Sequence, residues 1–218
     1  MKYIFLMLTF ISLKSYSQYA LTPFADVQGT MLREIKYEDV KGSPYLSDNW
    51  TLGKVTTKSG KQYVDVPLKY NVMDDKLIFK HENGNQMYFV EPVTAFELNN
   101  LISGTSAKFV SGLPAIDHYN ALSYYEVIFS GPISLFKKTN KVITESKEYG
   151  SALINKSFNT TLNYFTLSDG KISKITPNRK AISTLFPSKE QQLNDYLKKE
   201  KIDLKNDEDL KKLFAYLN

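Results

Sequence analysis

Ten residues, 63–72, constrain the fold most. Their sequence, YVDVPLKYNV, puts Val64, Val66, Leu68, Tyr70 and Val72 on one face of an extended chain and Tyr63, Asp65, Pro67, Lys69 and Asn71 on the other. A period of two belongs to a strand with one buried and one wet face. Pro67 cannot donate to a ladder, which predicts a sheet edge or a bulge there.

Turn signals on both sides of this strand give it partners. Ser59-Gly60 separates it from a strand at 53–57, and Asp74-Asp75 precedes another at 77–80. Asn83-Gly84 leads into 87–90, and Asp169-Gly170 joins 162–167 to 171–175. Both dipeptides suit the positive-φ pair of a type I′ hairpin. The strand expected at 122–129, LSYYEVIF, is apolar on both faces. It predicts a central strand whose outer face is covered. Gly131-Pro132 breaks it, and 133–138 resumes as its partner.

The end of the chain reads as helix and supplies that cover. Thr176-Pro177 predicts a helix start with Thr as N-cap, an apolar face of Ala181, Leu185 and Phe186, and a stop at Pro187. Ser188 and Gln191 have the spacing of a capping box ahead of Leu193, Tyr196 and Leu197. Asn206 predicts the cap of a last helix, with Asp207, Glu208 and Asp209 in the first turn, where the helix dipole favours negative charge. Leu210, Leu213, Phe214 and Leu217 form its buried stripe. The fold class is mainly β (α+β): an antiparallel meander, as an open or partial-barrel sheet, packed by two to three short C-terminal helices. The expected boundaries are 1–17, a signal peptide; 18–175, the β-rich domain; and 176–218, the helical segment on it. Residues 31–37 fit a strand or a helix, and Gly42-Ser43-Pro44-Tyr45 fits a loop.

The first seventeen residues carry an address. Lys2 precedes the apolar run YIFLMLTFISL, and Ser15-Tyr16-Ser17 places small residues where a signal peptidase reads. The run is short of the roughly 20 apolar residues that cross a bilayer. Export is expected, to the periplasm, the outer membrane or the medium, with Gln18 as the mature N-terminus and no transmembrane segment after cleavage. With no cysteine in the chain, neither a disulfide framework nor a lipid anchor on cysteine is available. Stability has to come from packing, which 15 Tyr and 13 Phe can supply. Loss of Lys2 and Lys14 takes the formal charge from +5 to +3, with no basic stripe, so nucleic acid is not an expected partner.

Catalytic motifs are absent. There is no G-x-S-x-G elbow, and Asp117-His118 with a serine makes a triad only on paper. A zinc site would need both histidines, His81 and His118, plus carboxylates such as Glu82, Glu91 or Asp117, and nothing in the sequence brings them together. Residues 206–209 are acidic but lack the glycine and closing glutamate of an EF-hand. No phosphate loop or dinucleotide fingerprint occurs, and no cofactor or metal is expected. Glu126 is the one carboxylate in an apolar strand. Burial would raise its pKa, which makes it the candidate catalytic acid. Tyr124, Tyr125, Tyr164 and Phe165 are the candidate ligand-binding aromatics, should a curved sheet present them on a concave face.

Residues 41–79, then 124–138 with the helical tail 186–218, together resemble a group of exported proteins of Bacteroidetes, and a signal peptide ending in Ser-Gln fits the same bacteria. The resemblance covers most of the mature chain and implies a periplasmic or outer-membrane-facing location. It carries no activity and no site residue. The expected function is a non-enzymatic envelope protein that binds or scaffolds a protein partner. The alternatives are a carrier or sensor of a hydrophobic ligand, lipid or glycan, in a curved sheet, and a hydrolase of envelope polymers centred on Glu126.

Overall fold

The computed structural model describes residues 21–22, 27–32, 37–99, 101, 104–147 and 154–218. The signal peptide and the expected mature N-terminus lie outside the described residues, as does most of 31–37. The protein is mainly β, mostly antiparallel, with three short helices at its C-terminal end. The strands are β1 (Leu21–Thr22), β2 (Gly29–Met31), β3 (Val40–Lys41), β4 (Thr51–Thr57), β5 (Gln62–Asn71), β6 (Lys76–Lys80), β7 (Gln86–Phe89) and β8 (Val93–Leu98). They continue as β9 (Ala107–Val110), β10 (Tyr125–Phe129), β11 (Ser134–Lys147), β12 (Ile154–Ser168) and β13 (Lys171–Ile175). The helices are α1 (Arg179–Leu185), α2 (Glu190–Lys199) and α3 (Asp207–Leu217). None of the described helices is long and apolar enough to cross a membrane.

All the strands join one sheet, in the order β13-β12-β11-β10-β9-β8-β4-β5-β6-β7-β2, with β1 beside β5 and β3 beside β12. β4 to β7 run as a meander, and β8 then returns to the free edge of β4. That return forces curvature. In a flat sheet β7 and β8 would stand about 19 Å apart, at ~4.8 Å per strand. The link from Phe89 to Val93 spans at most about 14 Å. The first half therefore rolls into a partial barrel. Its interior is filled by Val55, Val66, Leu68, Phe79, Phe96 and Phe109.

The alternation expected for 63–72 holds only from Val66 to Tyr70, since Asn71, expected on the wet face, is buried beside Val72. Val66, Leu68 and Tyr70 are buried, but so is Tyr63, while Val64 is half-buried. The register with β4 slips between Gly53 and Val55, and Asp65 has φ +55°. This is a bulge, and one extra residue reverses the phase of everything before it. It sits at Asp65 rather than at Pro67. Pro67 faces Leu52 of β4 but lies beyond the β6 ladder, which ends at Leu68↔Phe79. Gly53 is required at the slip, because a Cβ there would stand 2.1 Å from the Glu97 carbonyl oxygen.

The two Asx-Gly turns differ. Asp169 and Gly170 have φ +50° and +73°, as a type I′ turn demands, and join Ser168 to Lys171 directly. At Asn83-Gly84 only the glycine is positive, and a wider loop closes with His81 N–H donating to the Asn85 carbonyl.

The second half of the sheet is covered on both sides. The strand there begins at Tyr125, later than the expected 122. One face of β10 and β11 packs Ile128 and Leu135 under Ile182, Leu193, Leu210, Leu213, Phe214 and Leu217 of the helices. The other packs Tyr125, Phe136 and Phe165 under Tyr119. β11 and β12 form a much longer ribbon than 133–138 and 162–167, paired without slip from Ser134↔Leu167 to Lys147↔Ile154.

The helix starts also need correction. α1 is capped by Asn178, whose side chain accepts from Ala181 N–H at 2.9 Å, and not by Thr176. Its fully buried residue is Ile182. Ser188 and Gln191 make no capping box, because a 3-10 turn, Pro187–Lys189, runs directly into α2 and Lys189 N–H donates to the Phe186 carbonyl. Asn206 caps α3 as expected, accepting from Glu208 N–H at 2.9 Å and Asp209 N–H at 3.1 Å.

Candidate functional site

The ladder between β9 and β10 holds two pairs, Tyr125↔Val110 and Glu126↔Phe109. Beyond Glu126 the strands separate. β9 continues against β8 down to Ala107, and β10 continues against β11 to Phe129. Among the described residues, neither edge regains a strand partner across the gap. A groove of about 710 Å³ opens there, with Ser106 and Ala107 on one wall, Val127 and Ile128 on the other, and the first turn of α3 above.

The groove floor is a charged network. Lys137 of β11 lies directly opposite Glu126 and bonds it at 2.8 Å. The same ammonium reaches Asp207 Oδ2 at 2.5 Å, and the Tyr164 hydroxyl donates to Asp207 Oδ1 at 2.8 Å. The Asn206 cap places Asp207 here, since it starts α3 directly over β10 to β12. Burial pushes the Glu126 carboxyl above its ordinary range, and Lys137 opposes that rise. Burial works against the Lys137 ammonium too, but Glu126 and Asp207 outweigh it and raise its pKa. Burial and the Asp207 carboxylate raise the Tyr164 phenol. At the rim, Lys205, Glu208 and Lys211 have no ion-pair partner among the described residues.

A second cluster lies on the opposite face of β11, one residue on. Lys138 is 2% exposed. Its ammonium meets Asp75 Oδ2 at 2.6 Å, donates to the Tyr124 carbonyl at 2.8 Å and faces the rings of Tyr70, Tyr119 and Tyr125 at 5.7 to 6.0 Å. The Tyr70 hydroxyl donates to Asp75 Oδ1 at 2.5 Å. Burial lowers the Lys138 pKa, with Asp75 pulling it back. Burial also raises Tyr70 far above its usual value and Tyr124 to about 12.

The five residues expected at a site are therefore split three ways. Glu126 and Tyr164 meet in the groove network. Tyr124 belongs to the Lys138 side, where its hydroxyl donates to the Val93 carbonyl. Tyr125 and Phe165 pack edge to face at 5.4 Å, both fully buried in the core under Tyr119. His81 lies in the β6–β7 turn, and the His118 ring packs tilted against Tyr119, 4.0 Å between centroids. No group of three or more metal-type ligands occurs among the described residues. The residues missed were Lys137, Lys138, Asp75 and Asp207. One signal could have found them: two consecutive lysines in a strand with both faces buried must each meet a carboxylate, one per face.

Compared with known proteins, the chain matches no family model, no curated protein and no solved structure.

Proposed function

We propose that this is an exported, non-enzymatic binding module of the bacterial cell envelope, and that the groove between β9 and β10 takes an extended segment of a partner protein. The single observation that carries this reading is the split in the sheet. Two strand edges face one another across a gap that no strand among the described residues fills. Backbone amides and carbonyls in such edges are matched by another backbone, which is how a strand is added to a sheet. At ~30 Å³ for each water-sized group, the volume corresponds to about two dozen non-hydrogen atoms, the bulk of about three residues. Lys205, Glu208 and Lys211 stand where the segment's side chains would pass. Lys137 is bonded to both Glu126 and Asp207, which favours a structural floor over a pair of carboxylates free for hydrolysis.

A photocrosslinking residue at Ser106 tests this in the native envelope, with the same residue at Lys171 on β13 as control. The expected result is one partner segment captured from Ser106 and not from Lys171. A synthetic peptide of that segment should bind the wild-type protein and lose tenfold or more in affinity to Ser106→Trp, which fills the groove. Capture from both positions, or undiminished binding to Ser106→Trp, contradicts the reading.

A further inference from the structure

A second cavity, of about 310 Å³, lies at the seam where the partial barrel closes. Leu77, Tyr88, Phe89 and Tyr124 form its walls. The Phe89–Val93 link that forces the sheet to roll also forms its lip. Cavities at the mouths of rolled sheets are common places for small ligands. Two large apolar side chains stand at the opening in water, Val90 at 61% and Leu122 at 69% exposure. They come from segments far apart in sequence and converge on one cavity.

Three charged residues line the cavity, Asp75, Lys76 and Glu91. The Asp75 carboxylate keeps 24% of its side chain exposed while accepting from Lys138, the Tyr70 hydroxyl and, at 3.4 Å, the Tyr124 N–H. Glu91, at the rim, is occupied by Ser59 N–H at 2.5 Å. Asp75 has φ +55°, in the left-handed region that aspartate tolerates.

We propose that this cavity binds the aliphatic tail of a small amphiphile whose head group donates a hydrogen bond to Asp75. The walls select the tail. The volume, at ~30 Å³ per group, admits about ten non-hydrogen atoms. A carboxylate can only accept, so the head must donate, as an alcohol or an ammonium does; a carboxylate or phosphate head cannot bond Asp75 and is left with Lys76 alone. This site is separate from the groove and does not depend on what the groove binds.

Titration calorimetry of the full chain with 1-octanol, octylamine and octanoate tests it. The alcohol, the amine or both should bind, and octanoate at least tenfold more weakly. Binding of the alcohol alone assigns a neutral head, and binding of the amine alone a cationic one. Leu122→Asp and Val90→Asp change exposed side chains and should each weaken binding tenfold or more. They keep the test independent of Asp75→Asn, which disturbs the Lys138 pair and with it the fold. Equal binding of octanoate, binding unchanged by both lip variants, or no binding by alcohol or amine overturns the proposal.

Discussion

Lys138 and Asp75 meet at 2.6 Å across 63 residues of sequence, joining the outer half of the sheet to the turn before β6. The lysine is almost fully buried and the aspartate partly exposed, so the two do not contribute alike. Removing one partner of a buried pair costs about 3 to 5 kcal/mol when the charge left behind has no water. Asp75→Ala should fall in that range. Lys138→Met should cost less, since the remaining carboxylate keeps Tyr70 and some solvent. Urea unfolding of both variants checks the order.

Tyr125 adds a smaller test on the same face. Its hydroxyl is buried with no hydrogen-bond partner among the described residues, and burial raises its pKa to about 12. An unpaired buried hydroxyl costs free energy. Tyr125→Phe should therefore be neutral or stabilise by up to about 1 kcal/mol. A loss above that in thermal unfolding would show that the hydroxyl is paired.

The groove floor predicts a pH dependence. The folded state holds the Glu126 proton to higher pH than the unfolded chain, because its pKa is raised above 4.5. The stability this contributes is complete below the unfolded pKa and is lost as pH rises through the folded one. Any advantage of wild type over Glu126→Gln should therefore shrink between about pH 4 and pH 7. Urea midpoints at the two pH values measure it. An advantage that grows with pH would mean that the bond to Lys137 governs instead.

The helix starts give a paired test. Asn206→Ala removes an observed cap and should cost about 1 kcal/mol, whereas Ser188→Ala removes none and should stay within about 0.5 kcal/mol. Leu213→Ala, in the fully buried stripe of α3, should cost about 2 to 5 kcal/mol.

What the sequence made legible was local. The stripe Leu210, Leu213, Phe214 and Leu217 and the turn at Asp169-Gly170 depend on nearest neighbours, and both lie where expected. The two-sided burial of β10 was readable from its apolar run. The phase of Tyr63 and Val64 was not, since the bulge at Asp65 answers to the register with β4. The long ribbon was not readable either. Its outer stretches, such as Thr139 to Lys147, carry no apolar face, and pairing with β12 alone makes them strand. The groove is the extreme case, set by where one ladder stops, which no residue type encodes.

Amide hydrogen exchange across β9 and β10 tests the central claim most directly. The full chain would be compared alone and with the peptide captured from Ser106. New protection at Ser106–Lys108 and Val127–Phe129, with β13 unchanged, is the predicted result. Protection confined to other strands, or no peptide captured from Ser106 at all, would contradict the groove as the binding site.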